Sequence, residues 1–236
     1  MRVVSLVPSA TETLLALGVR PVAGTRFCDQ PGLPTVGGTK NPDVPAVVAL
    51  RPDLVVVNNE ENRRADADAL LAAGLALHDC SPRSVADVGP AVVALAEAVG
   101  AAVPPPFEPS RWRAWLADAA PAPLARPAVT FVWRRPWMTL GPDTYGASVL
   151  ERVGLSLVDT GDAADRYPTV TLEAVRARRP DRALLPSEPY PFGRRHLAEV
   201  EDALPGTAVT LVDGRDLFWW GVRTPAAVAR LAAALS

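Results

Sequence analysis

Three glutamates lie at positions where they could act in catalysis or in docking to a partner protein. The motif Arg-Pro-Asp occurs at residues 51–53 and 179–181, and each copy precedes a short run that predicts a strand. A glutamate follows each aspartate by seven positions, namely Glu60, with Glu61 beside it, and Glu188. Converging carboxylates would support general acid–base catalysis, whereas carboxylates on two separate lobes suit docking to arginines of a symmetric partner. Solvated glutamates at helix starts, favoured by the helix dipole, remain an alternative.

Aromatic side chains gather on segments that follow predicted strands. The residues concerned are Trp133, Trp137, Tyr190, Phe192, Trp219 and Trp220. Aromatic rings on loops rather than on helix faces favour a flat or bulky organic ligand that stacks on them. The alternative is that the tryptophans only fill an interface between lobes.

Other short motifs point less clearly to chemistry. The run Gly37-Gly38-Thr39-Lys40 lacks the spacing of a phosphate-binding loop, and Asn41-Pro42 follows it where a helix should begin. Ser9 is not in a Gly-x-Ser-x-Gly elbow. The two histidines, His78 and His196, are too few for a dedicated metal site, so we predict no metal site.

Strand and helix patterns alternate along the chain, which predicts an α/β protein with parallel sheets. The first strand is expected at residues 3–7, and Ser9 with Glu12 fits the capping box of the helix after it. A later strand is expected at Leu75 to Leu77, and residues 133–137 are expected to be a loop.

The composition predicts two lobes and a connection. Three prolines at residues 104–106 interrupt regular structure. We therefore expect an N-terminal α/β lobe at residues 1–100, a linker at 101–126 with a short helix from Ser110 to Ala119, and a C-terminal α/β lobe at 127–236.

Bulk properties exclude several classes of partner. The net charge of −2 and the isoelectric point of about 5.8 argue against nucleic acid. The sequence contains no run of about 18 apolar residues, so we predict no membrane-spanning helix. The start of the sequence has no cationic or long apolar signal region, which predicts a cytoplasmic protein as written, or a periplasmic or extracellular one if the sequence was trimmed. The roles of Cys28 and Cys80 stay open.

Several motifs together resemble the class III periplasmic-binding-protein superfamily, also called helical-backbone metal receptors. The opening residues 4–12 resemble that family's first strand and its Thr-Glu helix start. Residues 37–43, 58–63, 133–138 and 185–192 resemble its cobalamin-binding-like subgroup, which belongs to the solute-binding proteins of ABC transporters. The resemblance covers nearly the whole chain.

The resemblance implies two Rossmann-like lobes with parallel sheets, joined by a helix, and a ligand cleft between the lobes. It implies a docking glutamate in each lobe for an ABC permease, at Glu60 (or its neighbour Glu61) and at Glu188. It also implies a non-catalytic protein that binds a small-molecule metal chelate. Cobalamin or another corrinoid is the first expectation, a ferric siderophore or haem the next, and none would be a covalently bound cofactor.

Two hypotheses result. In the first, the chelate is held by residues that stack on it or meet its polar groups. These are Ser9, Arg26, Lys40, Trp133, Arg134, Trp137, Tyr190, Phe192, Trp219 and Trp220. In the second, the chain is a cytosolic enzyme or sensor on the same fold that uses Glu60, Glu61 and Asp29.

Overall fold

The protein is described here by a computed structural model in which residues 1–118, 126–161 and 165–235 are placed. The chain divides into two compact units. Unit 1 contains Met1–Pro82, Ala86–Trp115 and Trp220–Val222. Unit 2 contains Arg83–Val85, Leu116–Trp219 and Arg223–Ser236. Each unit has its own sheet.

The sheet of unit 1 is parallel. Its strands are β1 (Val3–Ser5), β2 (Ala23–Gly24), β3 (Leu54–Val57) and β4 (Leu77–Asp79), in the spatial order β2-β1-β3-β4. The strands β1 and β3 are buried along their whole length, as expected for a sheet covered on both faces. The core includes Val4, Leu6, Val55 and Leu70.

Five helices lie in the first half of the chain, and three of them have a proline in their first turn. They are α1 (Pro8–Ala16), α2 (Val44–Ala49), α3 (Arg64–Ala72), α4 (Val85–Val99) and α5 (Pro109–Asp118). Two of the boundaries between the units fall inside helices, one after Val85 in α4 and one after Trp115 in α5. The helix predicted from Ser110 to Ala119 corresponds to α5, although Ala119 lies outside the described residues.

The sheet of unit 2 has a parallel part and an antiparallel part. Its strands are β5 (Arg126–Trp133), β6 (Trp137–Thr139), β7 (Leu155–Leu157), β8 (Thr169–Val170), β9 (Arg182–Pro186) and β10 (Ala208–Val212). Parallel pairing joins β10, β9, β5 and β7. The short strand β6 pairs antiparallel with β5, and β8 pairs antiparallel with β6. The core contains Phe131, Ala183, Leu185 and Val200.

Five helices lie in the described part of unit 2. They are α6 (Tyr145–Arg152), α7 (Leu172–Ala177), α8 (Arg194–Ala203), α9 (Gly214–Phe218) and α10 (Thr224–Leu235). Within the described ranges, no helix is both long and apolar enough to cross a membrane. The predicted α/β fold with parallel sheets is confirmed.

The repeated motif of the sequence is also a repeat of the structure. Arg51 and Arg179 both have a left-handed backbone, at φ 46° and 49°. The aspartate two residues later donates its N–H at 2.8 Å in each copy, from Asp53 to Arg2 O and from Asp181 to Pro127 O. These bonds join the start of β3 to the start of β1, and the start of β9 to the start of β5.

Three elements differ from the prediction. The first strand, expected at residues 3–7, ends at Ser5. The strand expected at Leu75 to Leu77 is Leu77–Asp79, because Leu75 still closes α3 through its N–H to Leu70 O at 3.2 Å. Gly74, at φ 81°, makes that closure. The loop expected at residues 133–137 is shorter than predicted. Trp133 is the last residue of β5 and Trp137 the first residue of β6, so only residues 134–136 connect the two strands.

Candidate functional site

Sites of open α/β sheets lie beyond the carboxyl ends of the parallel strands. The sequence-predicted residues divide between the two units. Unit 1 holds Ser9, Arg26, Asp29, Lys40, Glu60, Glu61 and Trp220. Unit 2 holds Trp133, Arg134, Trp137, Glu188, Tyr190, Phe192 and Trp219.

Asn58 organises the loop that carries Glu60 in unit 1. Its Nδ2 donates to Cys80 O at 2.6 Å, which ties the loop after β3 to the end of β4. Its Oδ1 accepts the N–H groups of Glu60 at 2.7 Å and of Glu61 at 3.2 Å. Asn58 is buried, so these bonds fix the backbone of both glutamates in a protected environment.

Asn62 closes the same loop from its other end. Its Oδ1 accepts the N–H of Asn58 at 2.8 Å, and its Nδ2 donates to Leu6 O at 3.2 Å and to Thr39 O at 3.0 Å. The loops after β1 and β3 and the Gly37–Lys40 turn are therefore joined. Lys40 adds to this by donating its Nζ to the carbonyl of Glu60.

Arg26 and Asp29 lie on the loop after β2. The guanidinium of Arg26 lies 5.0 Å from the ring centre of Phe27, which is 50% exposed. The loop encloses a pocket of about 270 Å³. The pocket is lined by Thr25, Arg26, Cys28, Asp29, Gln30, Pro31, Leu33 and Thr35. The three carboxylates of the enzyme hypothesis thus come from two loops, one after β2 and one after β3.

Ser9 does not form the predicted capping box. The N-cap of α1 is Val7, and Pro8 takes the first helical position, where its missing N–H costs nothing. Ser9 is therefore inside the helix. Its Oγ is buried and has no hydrogen-bond partner among the described residues.

Trp220 lies on a segment that packs against α1. Its side chain is 4% exposed, and its Nε1 also lacks a partner among the described residues. The next residue, Gly221, has φ 112°, and a Cβ there would lie 2.1 Å from Thr13 Oγ1. Only glycine fits this contact, so the segment after Trp220 is pressed onto α1.

An aromatic group lies at the carboxyl end of β5 in unit 2. Trp133 is 43% exposed and meets Tyr190 edge-on at 5.5 Å between ring centres. Tyr190 also contacts Phe192 at 4.6 Å and His196 at 5.5 Å. Part of the Trp133 ring is therefore exposed to solvent, and the rest packs against a cluster of aromatic side chains.

Trp137 and Phe192 are set deeper than Trp133. Their rings are stacked at 6.1 Å, and both pack in the core of unit 2. Arg134 lies over Trp137 at 5.8 Å and binds Glu199 through two bonds of 2.9 Å. The charge of Arg134 is thus paired inside the unit.

Glu188 follows β9 and is held by its side chain. Its Oε1 accepts the indole N–H of Trp219 at 2.5 Å, and its Oε2 lies 4.0 Å from Arg215 Nε. Burial raises the pKa of Glu188 above its ordinary value, and the negative charge of Asp213 adds to this. The Trp219 hydrogen bond and the charges of Arg215 and Arg223 act in the opposite direction.

Two cations lie over the ring of Trp219, which is only 7% exposed. The guanidinium carbons of Arg215 and Arg223 are 4.9 and 5.2 Å from its centre. Asp216, itself 4% exposed, binds Arg223 at 3.1 Å and Arg230 at 2.6 Å. Buried Asp216 thus fixes one of the two cations.

Both cysteines and His196 are buried, and His78 is half-buried. Both cysteines are free thiols. Cys28 accepts a hydrogen bond from Thr11 Oγ1 at 3.1 Å, and burial raises the pKa of Cys80 to about 12. Burial lowers the pKa of His78 and of His196. Among the described residues, no group of three or more His, Cys, Asp or Glu is arranged to hold a metal ion.

Sequence reasoning missed the residues that hold the two glutamates. Asn58 and Asn62 are visible in the sequence as polar residues directly after a strand, but their partners lie on other loops. Asp216 and Arg230 were also missed. A charged pair separated by 14 positions, with a turn between them, gives no local signal.

Solved structures resemble the chain over almost its whole length. The periplasmic vitamin B12 binding protein BtuF of Vibrio cholerae is 19% identical, with a TM-score of 0.79 over 99% of this chain and 96% of that one. The periplasmic haem-binding protein RhuT from Roseiflexus sp. RS-1 is 22% identical, with a TM-score of 0.80 over 99% and 97%. A periplasmic haem binding protein from Pseudomonas aeruginosa is 23% identical, with a TM-score of 0.79 over 99% and 91%.

Sequence comparison alone finds less. No protein-family model matches the chain, and no curated protein matches it significantly. The likeness is therefore one of fold, at identities of 19–23%. The chain has the fold of the class III periplasmic binding proteins, as the motifs of its sequence predicted.

Proposed function

We propose that the chain is a solute-binding protein for a bulky metal chelate and serves an ABC importer. The proposal rests on one observation: the fold of this chain matches, over 99% of its length, the folds of binding proteins for vitamin B12 and for haem. Both ligands are large, flat, metal-containing ring systems. A corrinoid is the first candidate, and haem or a ferric siderophore is the next.

The contacts of unit 2 support a flat ligand. Trp133 presents a half-exposed ring beside Tyr190, and aromatic rings bind flat apolar surfaces well. Trp137 and Phe192 support that pair from the core side. Arg134 belongs to the same group, with its charge directed to Glu199.

In unit 1 we assign polar contacts to Ser9, Arg26 and Lys40. Arg26 is exposed, and its cation can meet an oxygen of the ligand in a charge-assisted bond. Trp220 is the aromatic contact of this unit.

Docking to the permease is assigned to Glu60 and Glu188. Each lies seven positions after the aspartate of its Arg-Pro-Asp motif, just beyond the end of β3 or β9. Glu60 is held through its backbone N–H and Glu188 through its side chain. Two equivalent carboxylates suit a partner that presents arginines twice.

A thermal-shift screen tests the proposal. The panel contains cobalamin, cobinamide, haem, a ferric siderophore, free divalent metal ions and nucleotides. A ligand at 100 times its Kd stabilises the fold by about 2.7 kcal/mol, which raises the midpoint clearly. A shift with one chelate class alone supports the proposal and names the ligand. No shift with any chelate contradicts it, and a shift with nucleotides alone favours the enzyme or sensor hypothesis.

A further inference from the structure

We propose that Trp219 is a positioning residue for the carboxylate of Glu188. The inference rests on the proposed function for what Glu188 does, and it assigns to Trp219 a role different from ligand stacking. All the residues that carry it belong to unit 2.

The contact between the two side chains is short and charge-assisted. The indole N–H of Trp219 donates to Glu188 Oε1 at 2.5 Å. The Glu188 side chain is 34% exposed, so this bond is partly screened from solvent. Hydrogen bonds to an ionised carboxylate are about twice as strong as neutral ones. The bond therefore fixes one oxygen and directs the carboxylate.

The ring of Trp219 has no room to serve a ligand as well. It is 7% exposed, and two guanidinium groups lie within 4.9 and 5.2 Å of its centre. Buried Asp216 holds Arg223 in place at 3.1 Å. The surface that a stacking ligand would need is thus filled by the protein's own cations.

The backbone of Glu188 is held as firmly as its side chain. A Cβ on Gly214 would lie 2.5 Å from Glu188 Cγ and 2.6 Å from its N and O atoms. The N–H of Gly214 donates to Ser187 Oγ at 2.9 Å. The turns after β9 and β10 are therefore packed together, and the tryptophan completes a rigid setting for one carboxylate.

This arrangement gives Glu188 a defined direction before any partner arrives. A side chain that is already ordered loses less entropy on binding. Arg215, whose Nε lies 4.0 Å from Oε2, is the resident cation that an arginine of the permease must displace or share.

Nuclear magnetic resonance on the full chain tests the proposal. Glutamate carboxyl carbons are titrated with pH, and the Glu188 signal is assigned by its loss in Glu188→Gln. The indole N–H signal of Trp219 should move with the same midpoint as the Glu188 carboxyl and should stop titrating in Glu188→Gln. An indole signal that ignores this midpoint overturns the proposal, and this measurement needs no tryptophan variant.

Trp219→Phe provides the second measurement. It keeps an aromatic ring under Arg215 and Arg223 but removes the donor, so the pKa of Glu188 should rise because its ionised form has lost a hydrogen bond. The matched control is Trp220→Phe, the neighbouring indole, which should leave the pKa of Glu188 unchanged.

Affinity for the chelate found in the thermal-shift screen separates the two roles. Trp219→Phe should change Kd by less than about twofold if Trp219 positions Glu188, whereas loss of a buried ligand anchor would raise Kd about tenfold or more. A tenfold loss with an unchanged Glu188 pKa contradicts the positioning role. If no chelate binds the wild-type chain, the proposed function fails, while the Glu188 titration still decides the role of Trp219.

Discussion

Arg51 and Arg179 occupy the same left-handed backbone conformation, at φ 46° and 49°, at equivalent points of the two units. Each ends the turn between a short helix and a buried strand. A non-glycine residue in this conformation costs about 1–2 kcal/mol. The two units therefore share a strained turn as well as a sequence motif.

Arg179→Gly should stabilise the protein by about 0.5–1 kcal/mol, since glycine relieves the strain but adds some freedom to the unfolded chain. Arg178→Gly is the matched control. Arg178 is the C-cap of α7 and has a right-handed backbone at φ −82°, so the same change there relieves no strain and should destabilise the protein by about 0.5–1 kcal/mol. Urea denaturation gives both free energies of unfolding. Equal destabilisation by the two changes would show that the Arg179 turn is not strained.

Asn58→Ala should lower the free energy of unfolding by about 2–3 kcal/mol, because it leaves Cys80 O and the N–H groups of Glu60 and Glu61 without their partner. The control is Asn59→Ala, whose exposed amide bonds Asp79, with an expected loss within about 0.5–1 kcal/mol. Urea melts followed by tryptophan fluorescence compare them. A cost for Asn58→Ala no larger than the control would remove its organising role.

Cys80 should resist alkylation in the native protein. With its pKa at about 12, only about one thiol in ten thousand is ionised at pH 8. In a Cys28→Ala background, mass spectrometry should find Cys80 unmodified by iodoacetamide at pH 8 and fully modified in urea. Raising the pH of the native protein toward 12 increases the thiolate fraction, so labelling should rise with pH. Fast labelling of the native protein at pH 8 would contradict its burial.

Trp133→Ala should weaken binding of the chelate by about 1–3 kcal/mol. Because Trp133 is 43% exposed, the free energy of unfolding should change by no more than about 0.5 kcal/mol. Leu71→Ala, at 53% exposure on α3, is the control that should alter neither quantity. Isothermal titration and thermal melts measure both. Unchanged affinity in Trp133→Ala would remove the exposed aromatic surface from the proposed site.

The sequence allows the fold to be predicted better than the site. The helices at Val85–Val99, Arg194–Ala203 and Thr224–Leu235 follow from local apolar spacing, which the chain carries within one element. The strand at Leu77–Asp79 was misplaced because Leu75 is apolar, although its N–H belongs to the end of α3. The hydrogen bond that ends α3 sets the start of this strand, and the pattern of apolar residues does not show that bond.

The site depends on contacts between distant residues. Glu188 could be placed after its strand from the repeat, but Trp219 lies 31 positions away on another turn. Trp133 and Trp219 look alike as loop tryptophans, yet one is half-exposed and the other lies under two cations. Exposure is a property of the packed chain, and residue type alone does not give it.

Unit 1 is completed by three residues from near the end of the chain, Trp220–Val222. Gly221 is pressed against Thr13, more than two hundred positions earlier in the sequence. Since synthesis proceeds from the N-terminus, the contacts of Trp220–Val222 with unit 1 form only after all the other residues of that unit have been made. Because the residues of the two units alternate along the chain, a single cut cannot separate one complete unit from the other.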